Sequence, residues 1–369
     1  MTIFLTDYRI AATDNIKFID DVKFPQEVHI FEDSYNRVKL GLNYPPHRIA
    51  ERVLDLKLAE QLKQEDCRSA FILASGNSHF AGIPNKPYDN SLSYIYKILP
   101  LSLTQIYAGR TAQLFGPHKH ITTDASACAS SLKVLMDVQN LINNYRFDRV
   151  IVLSVEDAVS NSVLEFFGEA RASITPEALK AGILPSAFDK TNHSFRVGQG
   201  AVLAVFESSA YQAKTGHRPR AELLGAYSGS EQCNNAIGQR DDGQGYTDVI
   251  RGVCEFNNID PRSIKIVKTH GTGTQSNNAA EKAGVNNILN DYVATSFKPQ
   301  IGHTLGASGL LETCLLLDNL EQGIIPKIAN RTEKDSIFLS EDQEYKGGNI
   351  LSLAAGMGNI YSAAVFRKV

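Results

Sequence analysis

Three short runs of this chain hold the residue types that acyl transfer through a thiol needs: TDASACASSL around Cys128, KTHGTGTQ around His270 and SFKPQIGHTLGASG around His303. A cysteine accepts an acyl group as the thiolate, and the oxyanion formed in the attack needs hydrogen-bond donors. Two imidazoles from elsewhere in the chain can then serve a second half-reaction, as neutral donors to a developing negative charge. Cys128 stands where a predicted strand gives way to a helix, flanked by Ala127, Ala129, Ser130 and Ser131. Small residues allow a tight turn that presents the side chain, and the helix N-terminus favours thiolate. His270 closes a predicted strand and opens a Gly-Thr loop whose backbone can approach a ligand closely. His303 follows Gly302 just before a small-residue helix start.

The elements that must position these residues alternate between strand and helix. The opening MTIFLTDYRI reads as a short strand. Residues 48–64 and 103–115 carry apolar side chains at helical spacing, the second run stopped by Gly116-Pro117. Residues 69–75, 149–155 and 200–207 are buried-strand patterns, and 120–127 is a strand running straight into Cys128. Leu132, Leu135, Val138 and Leu141 form a helical stripe after it. Beyond a polar junction at 208–219 the order restarts. Strands are predicted at 221–227, 264–270, 292–297, 349–355 and 361–366, with helices at 248–256, 279–289 and 307–320. The reading is an α/β fold in two βα-rich halves, 1–215 with the cysteine and 216–369 with both histidines, with no sequence repeat visible between them. Alternating β and α elements imply sheets covered by helices.

Composition narrows the class. A net charge of −3 gives no basic surface that would recruit nucleic acid or membrane, and no apolar run is long enough to span a bilayer. Cys67, Cys128, Cys233, Cys254 and Cys314 are scattered and odd in number, which argues against a disulfide framework or a zinc ribbon and for a cytoplasmic protein. His118 and His120 form an HxH with no further ligand in view, so they read as loop residues. His29, His47, His79, His193 and His217 read as ordinary core or surface histidines.

With these runs in order, the chain resembles a β-ketoacyl synthase of the Cys-His-His type, from about residue 99 to the C-terminus. The resemblance implies a thiolase-like fold, two halves stacked as αβαβα. It implies that Cys128 takes an acyl group and that His270 and His303 stabilise the enolate left by a decarboxylating malonyl-type thioester. It assigns Lys298 and Glu312 to positioning and polarising the second histidine, and Thr272 and Thr274 to the pantetheine arm. The backbone N–H groups of Cys128 and Met357 become the oxyanion hole. No metal or redox cofactor is implied, because the substrates arrive on the phosphopantetheine of an acyl carrier protein. A dimer is implied, either of identical chains or with a chain-length subunit.

The departures fall in the pocket walls. Met357 stands where the family has a gating Phe, and Asn359, Ile360 and Tyr361 replace G-T-N. In SAFDKTNHSFRVGQGAV, Phe188, Asp189, Phe195, Gly198 and Gly200 are kept while Gln199 replaces Glu. Asn277 and Asn278 replace G-D ahead of a retained Glu281. These changes suggest a type II polyketide or specialised fatty-acid pathway. Two alternatives stay open: acyl transfer to an amine or alcohol, and a non-condensing partner subunit of the chain-length-factor kind.

Overall fold

The structure, a computed structural model, describes residues 1–12, 53–76, 104–156, 161–190, 194–233, 235 and 238–369. The first half runs β1 (Ile3–Ala12), α1 (Leu56–Gln64), β2 (Ser69–Ala74), α2 (Thr104–Ala112), β3 (His120–Asp124), a 3₁₀ turn (Ala127–Ala129), α3 (Ser130–Asn143), β4 (Arg149–Glu156), α4 (Asn161–Glu169), α5 (Pro176–Lys180) and β5 (Gly200–Ser208). Helix α6 (Ser209–Thr215) joins it to the second. That half runs β6 (Ala221–Ser230), α7 (Gln244–Phe256), β7 (Ile264–Lys268), α8 (Gln275–Asn286), β8 (Val293–Thr295) and α9 (Lys298–Ile301). It continues through a 3₁₀ turn (Leu305–Ala307), α10 (Ser308–Glu321), a two-strand pair β9 (Ile324–Ile325) and β10 (Gln343–Glu344), then β11 (Asn349–Gly356) and β12 (Ile360–Lys368). The expected helix over 48–64 is described from Leu56 on; residues 48–52 and 103, with His29, His47, His79 and His193, lie outside the described residues.

Ten strands form one mixed sheet in the order β3-β2-β4-β5-β1-β6-β12-β11-β7-β8. The two ends of that order mirror each other. In the first half β2 lies parallel to β3 and β4, and β5 lies antiparallel to both β4 and β1. In the second, β7 lies parallel to β8 and β11, and β12 lies antiparallel to both β11 and β6. The halves are therefore a duplication of topology, as the restarted order of elements implied although no sequence repeat is visible. Residues 127–132 (ACASSL) and 305–310 (LGASGL) occupy matching turns, and both Ala127 and Leu305 have positive φ, 47° and 42°.

The layering follows from strand periodicity. Along each strand alternate side chains point to opposite faces. Ala70, Ile72, Val150, Val152, Val202, Ala204, Phe206, Ile350, Ala354, Ala364 and Phe366 pack inward, in one core with Leu132, Leu135 and Val138 of α3 and Leu310, Leu311 and Leu317 of α10. Their neighbours Phe71, Leu73, Ile151, Leu153, Leu203 and Val205 face a separate core under α1 and α2. On the second half Leu351, Leu353, Ala363 and Val365 face α7 and α8. The two halves of the one sheet thus enclose the central helices, giving the order helix, sheet, central helices, sheet, helix. Strands buried on both faces must be apolar throughout, which is why these read as continuous hydrophobic runs.

At the sheet end away from His270, buried Arg149 donates to Glu207 at 3.1 Å and pairs with Glu65, and His217 bonds both carboxylates. This network ties α1 to β4 and β5. His217, read as an ordinary core or surface histidine, is a hydrogen-bonded structural residue on Glu207. No helix among the described residues is long and apolar enough to cross a membrane.

Candidate active site

The turn around Cys128 is made by local chemistry. Strand β3 stops at Asp124, three residues earlier than its apolar pattern suggested, because the Asp124 Oδ1 accepts from the Ser126 N–H at 2.9 Å. Ala127 then takes a left-handed φ of 47° and delivers Cys128 into the 3₁₀ turn that leads α3. Ser130 Oγ donates back to the Ala127 carbonyl at 2.7 Å. Cys128 is 5% exposed and packs with Phe167, Phe195 and Leu305. Phe195 stands edge-on to His303 with ring centres 4.9 Å apart, and His303 stands edge-on to His270 at 5.4 Å. Cysteine and histidines from opposite halves of the chain thus share one buried pocket.

His303 is seated by main chain. Its N–H donates to the Arg196 carbonyl at 2.6 Å, and its carbonyl accepts from the Gly198 N–H at 2.9 Å. A Cβ on Gly198 would lie 2.7 Å from the Ile301 carbonyl oxygen, so only glycine lets these two segments meet. His270 is held by Glu281, whose carboxylate accepts from the N–H groups of His270 and Gly271 and from the Asn277 amide. Asn277 is held in turn by the Tyr246 hydroxyl at 2.6 Å. Glu281 was visible in sequence only as a retained position. Its function here is to fix the loop that bears His270.

Lys298 and Glu312 are both fully buried and pair at 2.8 Å. Lys298 Nζ donates to the main-chain carbonyl of His270, and its charge also bears on His303. A further lysine that sequence reading missed, Lys268, reaches the other Glu312 oxygen at 3.3 Å. The strand IKIVK holds two lysines; Lys265 pairs with Asp291 at the surface, and Lys268 ends the strand inside the protein. Thr272 and Thr274 adjoin each other with hydroxyls 3.0 Å apart. Thr274 caps α8 by accepting from the Asn277 N–H, which also starts that helix four residues before the predicted 279.

Electrostatics separates the two kinds of group. Burial and the Lys298 and Lys268 ammoniums push both imidazoles well below the usual histidine range, so they are neutral, as a hydrogen-bond donor role requires. Both Nδ1 atoms are buried without a hydrogen-bond partner among the described residues. Burial pushes the Cys128 thiol up to about 12, Lys298 pulls against it, and Glu156 adds to the rise. Burial thus opposes the thiolate that Lys298 favours. The 3₁₀ turn, rather than a regular first helical turn, separates the sulfur from α3.

Gly356 completes the pocket. A Cβ there would lie 2.7 Å from the Ser126 carbonyl oxygen and 3.2 Å from the Ala129 nitrogen, so the β11–β12 hairpin presses directly on the cysteine turn and sets Met357 beside it. Gly356→Ala is expected to cost about 1–3 kcal/mol through overpacking, read from the denaturation midpoint. It should also slow acylation of Cys128, because relief of the clash moves the turn. An unchanged acylation rate would separate the hairpin from the site.

The comparisons agree with this geometry. Residues 55–211 match the family model for the β-ketoacyl synthase N-terminal domain, and residues 220–332 match that for the C-terminal domain. The oxytetracycline polyketide β-ketoacyl synthase 1 of Streptomyces rimosus is 27% identical over 253 residues, 66% of this chain and 59% of that protein. The tetracenomycin ketoacyl synthase alpha subunit of Streptomyces glaucescens is 25% identical over 69% of this chain and 62% of its own. The matches thus span about three fifths of those relatives' lengths. Among solved structures, a type II polyketide ketosynthase in complex with its acyl-carrier protein superposes with a TM-score of 0.81, at 18% identity over 100% of this chain and 99% of that one. A β-ketoacyl synthase from Burkholderia phymatum gives 0.80 at 17% identity, with the same coverage. The fold is the thiolase-like fold these structures share, and with both domain models matched in order across the two halves, the chain belongs to the β-ketoacyl synthase family.

Proposed function

We infer that the protein is a β-ketoacyl synthase, an acyltransferase that condenses a Cys128-bound acyl group with a malonyl-type unit in polyketide or specialised fatty-acid assembly. The observation that carries this reading is the convergence of Cys128 with two uncharged imidazoles in one buried pocket. In the first step the Cys128 sulfur attacks an acyl thioester. The carbon–sulfur bond to the carrier breaks, and the thiol proton leaves with the carrier's own thiol. The N–H groups of Cys128 and Met357 hold the oxyanion. In the second step the malonyl carbon–carboxylate bond breaks and carbon dioxide departs. His270 and His303 donate to the enolate oxygen, the carbanion attacks the Cys128 thioester, and the cysteine sulfur leaves and regains a proton. Thr272 and Thr274 line the approach of the pantetheine arm. An acyl carrier protein brings both substrates, and the working form is a dimer, either of identical chains or with a chain-length subunit, in the cytoplasm.

The test is carbon dioxide release from a malonyl carrier protein, with acylation of Cys128 followed by intact mass. His270→Ala and His303→Ala are each expected to lower carbon dioxide release by about 10²–10⁴-fold while Cys128 still takes an acyl group. Acylation without carbon dioxide release, with the acyl group passed to an amine or alcohol, would replace this reading with a simple acyltransferase. No acylation by any donor would point to a partner subunit.

A further inference from the structure

Lys268 is an unusual residue to find in the middle of a sheet. It pairs in register with Ser352 of β11 and Thr295 of β8, and no part of it reaches solvent. A buried ammonium is unfavourable unless it is paired and hydrogen-bonded. Lys268 meets that need with the Leu353 carbonyl at 2.9 Å and the Glu312 Oε2 at 3.3 Å. Glu312 is already the partner of Lys298, through its Oε1 at 2.8 Å. The other buried acid nearby, Glu281, is engaged by the N–H groups of His270 and Gly271. One carboxylate thus serves two ammoniums, next to two imidazoles. An apolar side chain would fill the strand position at lower cost, so packing alone does not account for a lysine.

We propose that Lys268 is a positioning residue of this site: by holding one Glu312 oxygen it restricts Lys298 to the other and leaves the Lys298 ammonium free to bind the His270 carbonyl. Without Lys268, Glu312 can close on Lys298 with both oxygens and draw it away from His270. Lys268 also adds a second cation beside both imidazoles, and its charge, with that of Lys298, opposes their protonation. The groups that face Lys268 are Glu312 from α10, Lys298 from α9, Glu281 from α8, and the two histidines. Burial lowers the Lys268 ammonium to about 8, against the pull of Glu312 and Glu281. The ammonium is therefore present below pH 8 and lost as pH rises through it.

This inference rests on the condensing reading of the site, and two measurements separate them. The first is the pH dependence of carbon dioxide release. In the native protein the rate is expected to fall through about pH 8, to roughly a tenth by pH 9, as expected for one titrating group. In Lys268→Met, of similar length but uncharged, that basic limb should vanish and the rate at pH 7 should already be low. Lys268→Gln, whose amide can still donate to Glu312, should keep the rate at pH 7 closer to native while also losing the basic limb, and guards against misfolding of the first variant. The second is the titration of selectively labelled His270 and His303 by NMR, which needs no turnover. Both midpoints should move upward in either variant. A basic limb of unchanged midpoint in the variants, or imidazole midpoints that do not move, overturns the role of Lys268 alone. If neither variant folds, a native rate flat from pH 7 to 9.5 overturns it and a limb near 8 supports it. If the native protein releases no carbon dioxide at any pH, the condensing reading fails, and the imidazole titration still decides whether Lys268 governs the site.

Discussion

Cys128→Ala is expected to abolish acyl transfer: mass spectra of the variant incubated with acyl thioesters should show no adduct, and condensation should fall by on the order of 10⁴-fold or more. The size of the effect follows from the lack of a substitute. Cys254 and Cys314 lie in other cores, and Cys67 is in the Arg149 network at the far end of the sheet. The side chain lost is small and sits in a turn built by Asp124, Ala127 and Ser130, so the fold should persist, with its circular dichroism unchanged. An adduct of undiminished yield on another residue would sink the assignment of the nucleophile.

The largest expected effect on stability is at Glu312. Its carboxylate is the shared counter-ion of Lys268 and Lys298, all three side chains at 0–1% exposure. Glu312→Ala leaves two buried ammoniums facing each other with no carboxylate between them. Removing one member of a buried ionic set costs about 3–5 kcal/mol, because the remaining charge stays desolvated. The denaturation midpoint should therefore drop sharply at neutral pH. The deficit should shrink as pH rises toward about 8 and then level off, since Lys268, at about 8 in the native protein with Glu312 pulling it up, discharges at lower pH once Glu312 is gone, while the unfolded chain still binds the proton. A small, pH-independent change would mean that the lysines find other partners.

Much of this site could be read from residues alone, and the reasons for the exceptions are physical. Cys128, His270 and His303 announce themselves by local context, since turns and close-approach glycines leave a sequence signature. So do the strands buried on both faces, whose continuous apolar runs mark them. The elements whose ends were misjudged were set by side-chain capping. Asp124 ends β3 and Thr274 starts α8, each through one hydrogen bond that periodicity does not register. The His270 carbonyl that Lys298 also reaches was not legible, because it depends on which atom a long side chain meets. Lys268 was passed over because a lysine at a strand end normally faces solvent, and only the packing of β7 between β8 and β11 buries it. The duplication showed in the order of elements but left no sequence repeat, because strand order constrains hydrophobicity much more than residue identity.

Strand β1 carries a consequence for how the chain comes to be assembled. It occupies the middle of the sheet, between β5 and β6, yet its register partners are Ser208 to Gly200 on one side and Leu223 to Ala221 on the other. Residues 3–12 therefore leave the ribosome nearly two hundred residues ahead of the strands they join, a delay of roughly ten to forty seconds at ~5–20 residues per second. For that interval an apolar strand has no sheet to enter, and the nascent chain must keep it from wrong pairings, by chaperone or by transient local contacts. Only when β5 emerges can the cysteine half close, and only with β6 can the histidine half be joined to it.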